Sequence, residues 1–214
     1  MKNLFSYDSK LMIMLEGVAN TMLLNLLFLL FCLPVFTIGA AFTALYSGCR
    51  ALINDEPCFR AFMRGFRSGF KRATLAWIIL FVWVVVMALS AHSVWLYMNA
   101  GMAFGAFTLV VALIAVVFGL AVTTMTFLLY SRFECTLFQM LKNGVYMTLA
   151  YPVRAIFMGL GNWLPVLLFF LAPYEFMRLS VVAVFLYFAV AANVSVWLMK
   201  KPFVQLEERV RGEE

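Results

Sequence analysis

The chain has 214 residues, of which 65% are hydrophobic and only 12% are charged. A soluble domain is about 45–50% apolar and about 25% charged, so this chain has too few charges to cover a water-facing surface. The composition excludes a soluble enzyme, a disordered chain and a disulfide scaffold, and it predicts an all-α polytopic transmembrane bundle. The net charge of +6 then indicates basic loops beside anionic lipid, with no role in binding nucleic acid.

Apolar runs long enough to cross a bilayer, about 20 residues each, recur along the chain. They predict one transmembrane domain, residues 1–199, followed by a charged tail at residues 200–214. The six predicted spans are residues 11–33, 35–53, 73–97, 102–130, 152–171 and 179–199. Proline breaks or kinks a helix. Because Pro34 interrupts the first apolar region, this region forms either two spans joined by a hairpin or one kinked span.

The positions of lysine and arginine predict the orientation, since basic residues concentrate on the cytoplasmic side of a membrane. With six spans, 15 of the 16 basic residues fall on one side and only Arg178 falls on the other. With one kinked span over residues 11–53, the count falls to 13 of 16. The charge pattern therefore favours six spans, in a multi-pass protein of the cell membrane with both termini in the cytoplasm.

A basic amphipathic stretch, residues 59–72, separates the second and third spans; we name it the basic elbow. Its phenylalanines share one helical face, its small residues share another, and a basic stripe lies beside them. This stripe consists of Arg60, Arg64, Arg67 and Lys71. The elbow is either a topology signal, an interfacial helix whose phenylalanines enter lipid while the stripe meets phosphates, or a docking site for a partner. A weaker pattern over residues 132–147 predicts a second amphipathic elbow helix.

Small residues follow the proline bend between the first two spans. Gly39, Thr43 and Ser47 recur at every fourth position, a spacing that allows another helix to approach closely. Pro34 ends the preceding helix, and Thr37 is placed to cap the following one. We therefore predict a helix-packing bend formed by Pro34, Gly39, Thr43 and Ser47. The alternative is a substrate-binding bend of the broken-helix type found in transporters.

Few polar residues fall inside the spans, and an ionisable residue there is a functional candidate by default. The candidate intramembrane polar site consists of Glu16, Asn20, Asn25, Asn162 and Asn193. These residues either share a cavity for a cation, a proton or a solute, or they lie apart. In the second case Glu16 sits at headgroup level and the asparagines form hydrogen bonds between helices.

The sequence contains no recognisable catalytic or metal-binding pattern. Its four cysteines form no CxxC pair, and a zinc site needs clustered cysteine and histidine. No nucleophile stands beside a base and an orienting group. We therefore predict no cofactor and no catalytic residues.

Residues 25–46 (NLLFLLFCLPVFTIGAAFTALY) and 59–77 (FRAFMRGFRSGFKRATLAW) resemble the YesL-like family of small bacterial membrane proteins. Besides the basic elbow, the matching residues are Asn25, Pro34, Thr37, Ile38, Gly39, Thr43, Ala44, Leu45 and Tyr46. The family elbow often carries asparagine where this chain has Gly69, which puts a polar role for that position in doubt. The family has no established activity. Its members often lie near carbohydrate uptake genes, and the resemblance therefore implies an accessory role in sugar transport.

Three functions follow as hypotheses. The first is a non-catalytic membrane protein accessory to carbohydrate or solute uptake, whose partners are anionic headgroups at the cytoplasmic face and a membrane transport complex. The second is a small transporter or channel acting alone or as an oligomer. The third, an intramembrane enzyme, is disfavoured because Glu16 and His92 lie in different spans. A carrier requires polar residues that converge on a cavity near the membrane midplane.

Overall fold

The computed structural model describes residues 10–99, 105–133, 135–171, 173–174, 177 and 186–205. Every regular element in these residues is a helix, which confirms the all-α class. The helices are α1 (Lys10–Cys32), α2 (Ile38–Ile53), α3 (Cys58–Asn99), α4 (Gly105–Tyr130), α5 (Leu137–Ala150), α6 (Pro152–Leu171) and α7 (Phe188–Leu198).

Among the described residues, five segments are long and apolar enough to cross a membrane. They are Met14–Cys32, Val35–Ile53, Cys58–Leu96, Phe107–Tyr130 and Pro152–Phe169. The sixth predicted span is described only in its second half, as the 11-residue helix α7. Arg178, the one basic residue predicted on the outer side, lies outside the described residues, and so do residues 206–214 of the predicted tail.

The chain reverses direction at Pro34, where a 3-10 turn, Val35–Thr37, joins α1 to α2. Thr37 does not cap α2 through its side chain, because its hydroxyl instead lies 2.7 Å from the carbonyl oxygen of Pro34 and closes the turn. The two helices pack against each other, with the ring centroids of Phe28 and Phe42 4.9 Å apart. The first two predicted spans are therefore separate helices joined by a hairpin.

α3 is a single helix of 42 residues. At 1.5 Å per residue it is about 63 Å long. It contains both the basic elbow and the third predicted span, which the sequence divides at residue 73. The structure has no break there, because no proline occurs between residues 58 and 99 and the helical pattern continues through the change in polarity.

The basic elbow lies alongside α2. Gly65 of the elbow faces Ser47, and Ala73 and Trp77 face Gly39 near the start of α2. The Trp77 indole donates a hydrogen bond to the carbonyl oxygen of Val35, over 2.9 Å, at the tip of the hairpin. α3 continues for 22 residues past Trp77, which corresponds to about 33 Å.

Aromatic side chains hold α2, α3, α4 and α6 together at the centre of the bundle. Trp77 of α3 stacks on Trp163 of α6, with ring centroids 5.5 Å apart and planes within 4° of parallel. Trp163 also contacts Phe42 of α2, and Phe42 stacks on Phe127 of α4. The hairpin tip and the middle of α3 are therefore fixed to the same core.

The second predicted elbow forms α5, which packs on the end of α4. The backbone N–H of Thr136 donates to the side-chain oxygen of Gln139, over 3.2 Å, which is half of a capping box at the start of the helix. Met140 and Gly144 are buried against the bundle, whereas Phe138 is 75% exposed. Hydropathy alone does not distinguish the protein-facing side of such a helix from the side that faces lipid.

Candidate functional site

A cavity of about 690 Å³ lies between α2, the basic elbow and the segment that follows α4. We name it the basic cavity. Six basic side chains and one carboxylate line it: Arg50, Arg64, Arg67, Lys71, Arg72, Arg132 and Glu56. Its other lining residues include five with hydroxyl groups, Thr43, Ser47, Ser68, Tyr130 and Ser131. The lining thus combines hydrogen-bonding groups with an excess of positive charge.

The floor of the basic cavity carries hydroxyl groups from the buried helix α2. The Ser47 hydroxyl donates to the carbonyl oxygen of Thr43 over 2.9 Å, and the Thr43 hydroxyl donates to that of Gly39 over 3.1 Å. Because both hydroxyl protons are already used, this part of the floor presents oxygen lone pairs. The strongest free donors toward a bound molecule are therefore the charged N–H groups at the exposed rim.

Two glycines of the basic elbow let neighbouring groups approach closely enough to form the cavity walls. A Cβ added at Gly65 would lie 2.7 Å from the Ser47 Oγ and 2.9 Å from its Cβ. A Cβ added at Gly69 would lie 2.5 Å from Cε1 of the Tyr130 ring, which α4 supplies. The space that a side chain at position 69 would need is thus occupied by the Tyr130 ring.

Arg72 links the basic elbow to the segment between α4 and α5. Its Nη1 donates a hydrogen bond to the carbonyl oxygen of Cys135, over 3.3 Å. Burial raises the pKa of the Cys135 thiol, and the nearby Arg72 guanidinium opposes this rise. The four cysteines are free, and within the described ranges no group of three His, Cys, Asp or Glu residues could hold a metal ion.

The structure divides the predicted basic stripe into two parts. Arg64, Arg67 and Lys71 line the basic cavity. Arg60 does not, and borders only an adjoining open hollow, which Arg64, Arg67 and Ser68 also line. The sequence prediction missed Arg50, Arg72, Arg132 and Glu56 as neighbours of the stripe. Only their charge could have drawn attention to them, since the cavity depends on how α2, α3 and α4 pack.

The phenylalanine face of the basic elbow packs mostly against protein. Phe62 is fully buried, and the Phe66 ring lies 4.5 Å from that of Phe31 in α1. Phe59, by contrast, is 49% exposed. The interfacial interpretation, in which this face enters lipid, therefore does not hold for Phe62, which protein covers completely, and Phe66 is half-buried against α1.

Two of the predicted intramembrane polar residues form hydrogen bonds between helices. The Asn25 side-chain oxygen accepts from the backbone N–H of Ala189 at the start of α7, over 2.9 Å. The Asn162 amide donates to the Ser195 hydroxyl over 2.9 Å and to the carbonyl oxygen of Met158 over 2.8 Å. Both asparagines are buried, and each joins a different helix to α7.

The other three predicted polar residues lie elsewhere. Glu16 is exposed on α1, and Asn20 is half-buried one turn further along the same helix. Asn193 lines a mainly apolar hollow together with Thr21. None of the five predicted residues lines the basic cavity. The structure therefore brings the basic stripe together with further charges, and does not bring the polar residues to one place.

The residues of the predicted bend have two roles. Pro34 lies at the hairpin tip, and Gly39 packs against Ala73 and Trp77, where a Cβ would come within 2.6 Å of each. Thr43 and Ser47 follow on the same face of α2 and reach the basic cavity. One row of small residues on α2 thus allows α3 to pack closely and also forms the floor of the basic cavity.

A family model described as a protein of unknown function, DUF624, matches residues 21–91. The matched region includes the second half of α1, all of α2 and most of α3. It therefore contains the basic elbow and most of the cavity lining, but not Tyr130, Ser131 or Arg132. No curated protein and no solved structure matches the chain. Over about a third of its length, the chain is similar to a family whose function is unknown.

Proposed function

We propose that the chain is a non-catalytic integral membrane protein that assists solute uptake as part of a membrane transport complex. Carbohydrate is the solute class implied by the resemblance to the YesL-like family, and we include membership of that narrower family in the proposal. The observation that carries the proposal is the separation of the polar residues in the apolar helices.

The hydrogen bonds of Asn25 and Asn162 support an accessory role. A carrier needs polar groups that converge on one site near the midplane and remain available to a solute. Here the Asn25 oxygen accepts from Ala189, and the Asn162 amide donates to Ser195, so these groups join α1 and α6 to α7. Glu16 is exposed and takes no part in either contact.

The charge distribution supports a cytoplasmic position for the basic end of the bundle. Arg50 lies in the last turn of α2, Arg64 lies in the first turns of α3, and Arg154 lies in the first turn of α6. Basic residues are retained on the cytoplasmic side. We therefore propose that this end faces the cytoplasm of the cell, next to anionic headgroups, and that both termini lie on that side.

Reconstitution separates an accessory protein from a carrier. The purified chain is placed alone in proteoliposomes, and the entry of a panel of radiolabelled sugars is measured against empty vesicles. We expect no flux above the empty vesicles. In cells that lack the chain, we expect slower uptake of at least one sugar, restored when the chain is supplied again.

Two results would overturn this proposal. Sugar flux through the chain alone would establish the alternative, a small transporter or channel acting alone or as an oligomer. Unchanged uptake of every sugar in cells lacking the chain would remove the accessory role. An Asn162→Ala variant serves as a control. If the chain is an accessory protein, cells with the folded variant should take up sugar at the same rate as cells with the unmodified chain.

A further inference from the structure

The positive charges around the basic cavity converge on one space. Arg50 comes from α2, Arg132 comes from the segment after α4, and four cations come from the basic elbow: Arg64, Arg67, Lys71 and Arg72. A topology signal requires only that charges lie on one side of the membrane. It does not require that three separate parts of the chain bring six cations to a common cavity.

The chemistry of the lining suits a phosphate group. Arginine presents a planar fork of N–H donors that matches phosphate oxygens in a bidentate manner, and lysine adds a point charge. The floor hydroxyls of Thr43 and Ser47 have used their protons, so the cations supply most of the donors. A dianion offers enough oxygen atoms to engage several of these cations at once.

The size and position of the cavity are consistent with such a ligand. Its volume of about 690 Å³ falls within the range of about 300–1,000 Å³ that is usual for small-molecule sites. Arg64, Arg67 and Lys71 are exposed at the rim, while Thr43 and Ser47 are buried at the floor. Basic pockets between membrane helices bind phosphate-bearing lipid headgroups in other proteins.

We propose that the basic cavity is a binding site for a phosphate group, carried either by an anionic lipid or by a soluble molecule. Arg50, Arg64, Arg67 and Lys71 supply the main N–H donors, and Ser68 borders the space that the ligand fills. This site does not depend on the proposed part in solute uptake, since it concerns binding alone.

The test uses the full chain in nanodiscs of phosphatidylcholine, which has no net charge. In one arm, inorganic phosphate is titrated at constant ionic strength against chloride, and binding is measured by calorimetry. In the other arm, phosphatidylglycerol or cardiolipin is added to the nanodisc, and lipid that stays bound is counted by native mass spectrometry. The two arms distinguish a soluble ligand from a lipid headgroup.

Three variants locate the binding. The first carries Arg64→Gln, Arg67→Gln and Lys71→Gln. The second, Ser68→Trp, fills the space and keeps every charge. The third is a charge-matched control with Arg154→Gln, Lys200→Gln and Lys201→Gln, since all three residues are exposed at the same end but line neither the basic cavity nor the hollow beside it.

We expect one of the two probes to bind the unmodified chain. The first variant should then bind about tenfold more weakly or worse, because charge-assisted hydrogen bonds are lost. Ser68→Trp should also weaken binding, and the charge-matched control should stay within about twofold. Binding of neither probe would overturn the proposal, and so would an equal loss in the control. If Ser68→Trp fails to fold, the first variant and the control decide the question alone.

Discussion

Asn162 and Ser195 illustrate how single polar residues act in the apolar helices of this protein. A polar group in hydrocarbon needs a partner, and each of these residues provides one for the other across α6 and α7. The Ser195 hydroxyl also donates to the carbonyl oxygen of Ala191, over 2.8 Å, so it accepts from Asn162 while donating within its own helix. The pair therefore links two helices without leaving a donor for a solute.

A double-mutant cycle on Asn162 and Ser195 should measure this link. We expect Asn162→Ala and Ser195→Ala each to lower the free energy of unfolding, with a coupling energy of about 0.6 kcal/mol and at most about 1.7 kcal/mol, as for other hydrogen bonds between membrane helices. Unfolding in mixed detergent micelles gives the four free energies. A coupling near zero would contradict the hydrogen bond.

Gly65 should be intolerant of even one additional carbon atom. A Cβ there would lie 2.7 Å from the Ser47 Oγ, so Gly65→Ala should destabilise the chain by about 1–3 kcal/mol through overpacking. Gly17→Ala is the matched control, because nothing lies within 4 Å of its added Cβ. Since alanine favours helix over glycine, the control should be neutral or stabilising.

A second change identifies Ser47 as the obstacle to a side chain at Gly65. In the double variant Ser47→Gly with Gly65→Ala, part of the lost stability should return, because the obstructing Oγ and Cβ are gone. The melting temperature in detergent suffices for the comparison. If Gly65→Ala and Gly17→Ala behave alike, the close contact between α2 and α3 is wrong.

At the scale of the element, α3 shows where hydropathy misleads. The charge content drops after residue 72, and this drop predicts a boundary between an elbow and a span. Backbone geometry does not follow polarity, however, and with no proline the helix continues. The phenylalanine face is ambiguous for the same reason. Lipid and α1 are both apolar, so the amphipathic pattern does not distinguish whether Phe62 contacts lipid or protein.

The continuity of α3 can be measured as a distance. With the native cysteines replaced, spin labels at Arg60→Cys and Leu96→Cys are separated by 36 residues of one helix. At 1.5 Å per residue, we expect about 50–55 Å between the two backbone positions. A separate elbow lying flat at the interface would bring the labels much closer, and a distance below about 40 Å would contradict the single helix.

At the scale of the whole molecule, the sequence predicts the class and the hairpin but not the cavity. Runs of apolar residues predict the helices. Pro34 alone leaves a hairpin and a kinked span open, and the distribution of basic residues favours the hairpin between α1 and α2. The basic cavity instead depends on long-range packing. The Tyr130 ring packs against Gly69, and Arg132 lines the same cavity as Arg64. A single sequence carries no sign of such pairs.

The orientation of the bundle is the remaining prediction at this scale. An impermeant maleimide should label Leu96→Cys in intact cells, because Leu96 lies near the end of α3 opposite the basic elbow. It should label Lys201→Cys only after permeabilisation, since basic residues stay in the cytoplasm. Both variants are made without the native cysteines. The reverse pattern would place the basic end outside.

The length of α3 past Trp77 has a consequence for the bilayer itself. α1 exposes leucines as far back as Leu15, about 25 Å before the hairpin tip, while α3 exposes Leu89, about 18 Å beyond Trp77 at that tip. Both sets require acyl chains around them, yet a hydrocarbon core is only about 30 Å thick. Either the protein tilts steeply or the surrounding lipids stretch to reach both sets. Hydrophobic mismatch of this kind has an energetic cost that depends on bilayer thickness, and it sorts proteins among membranes of different thickness.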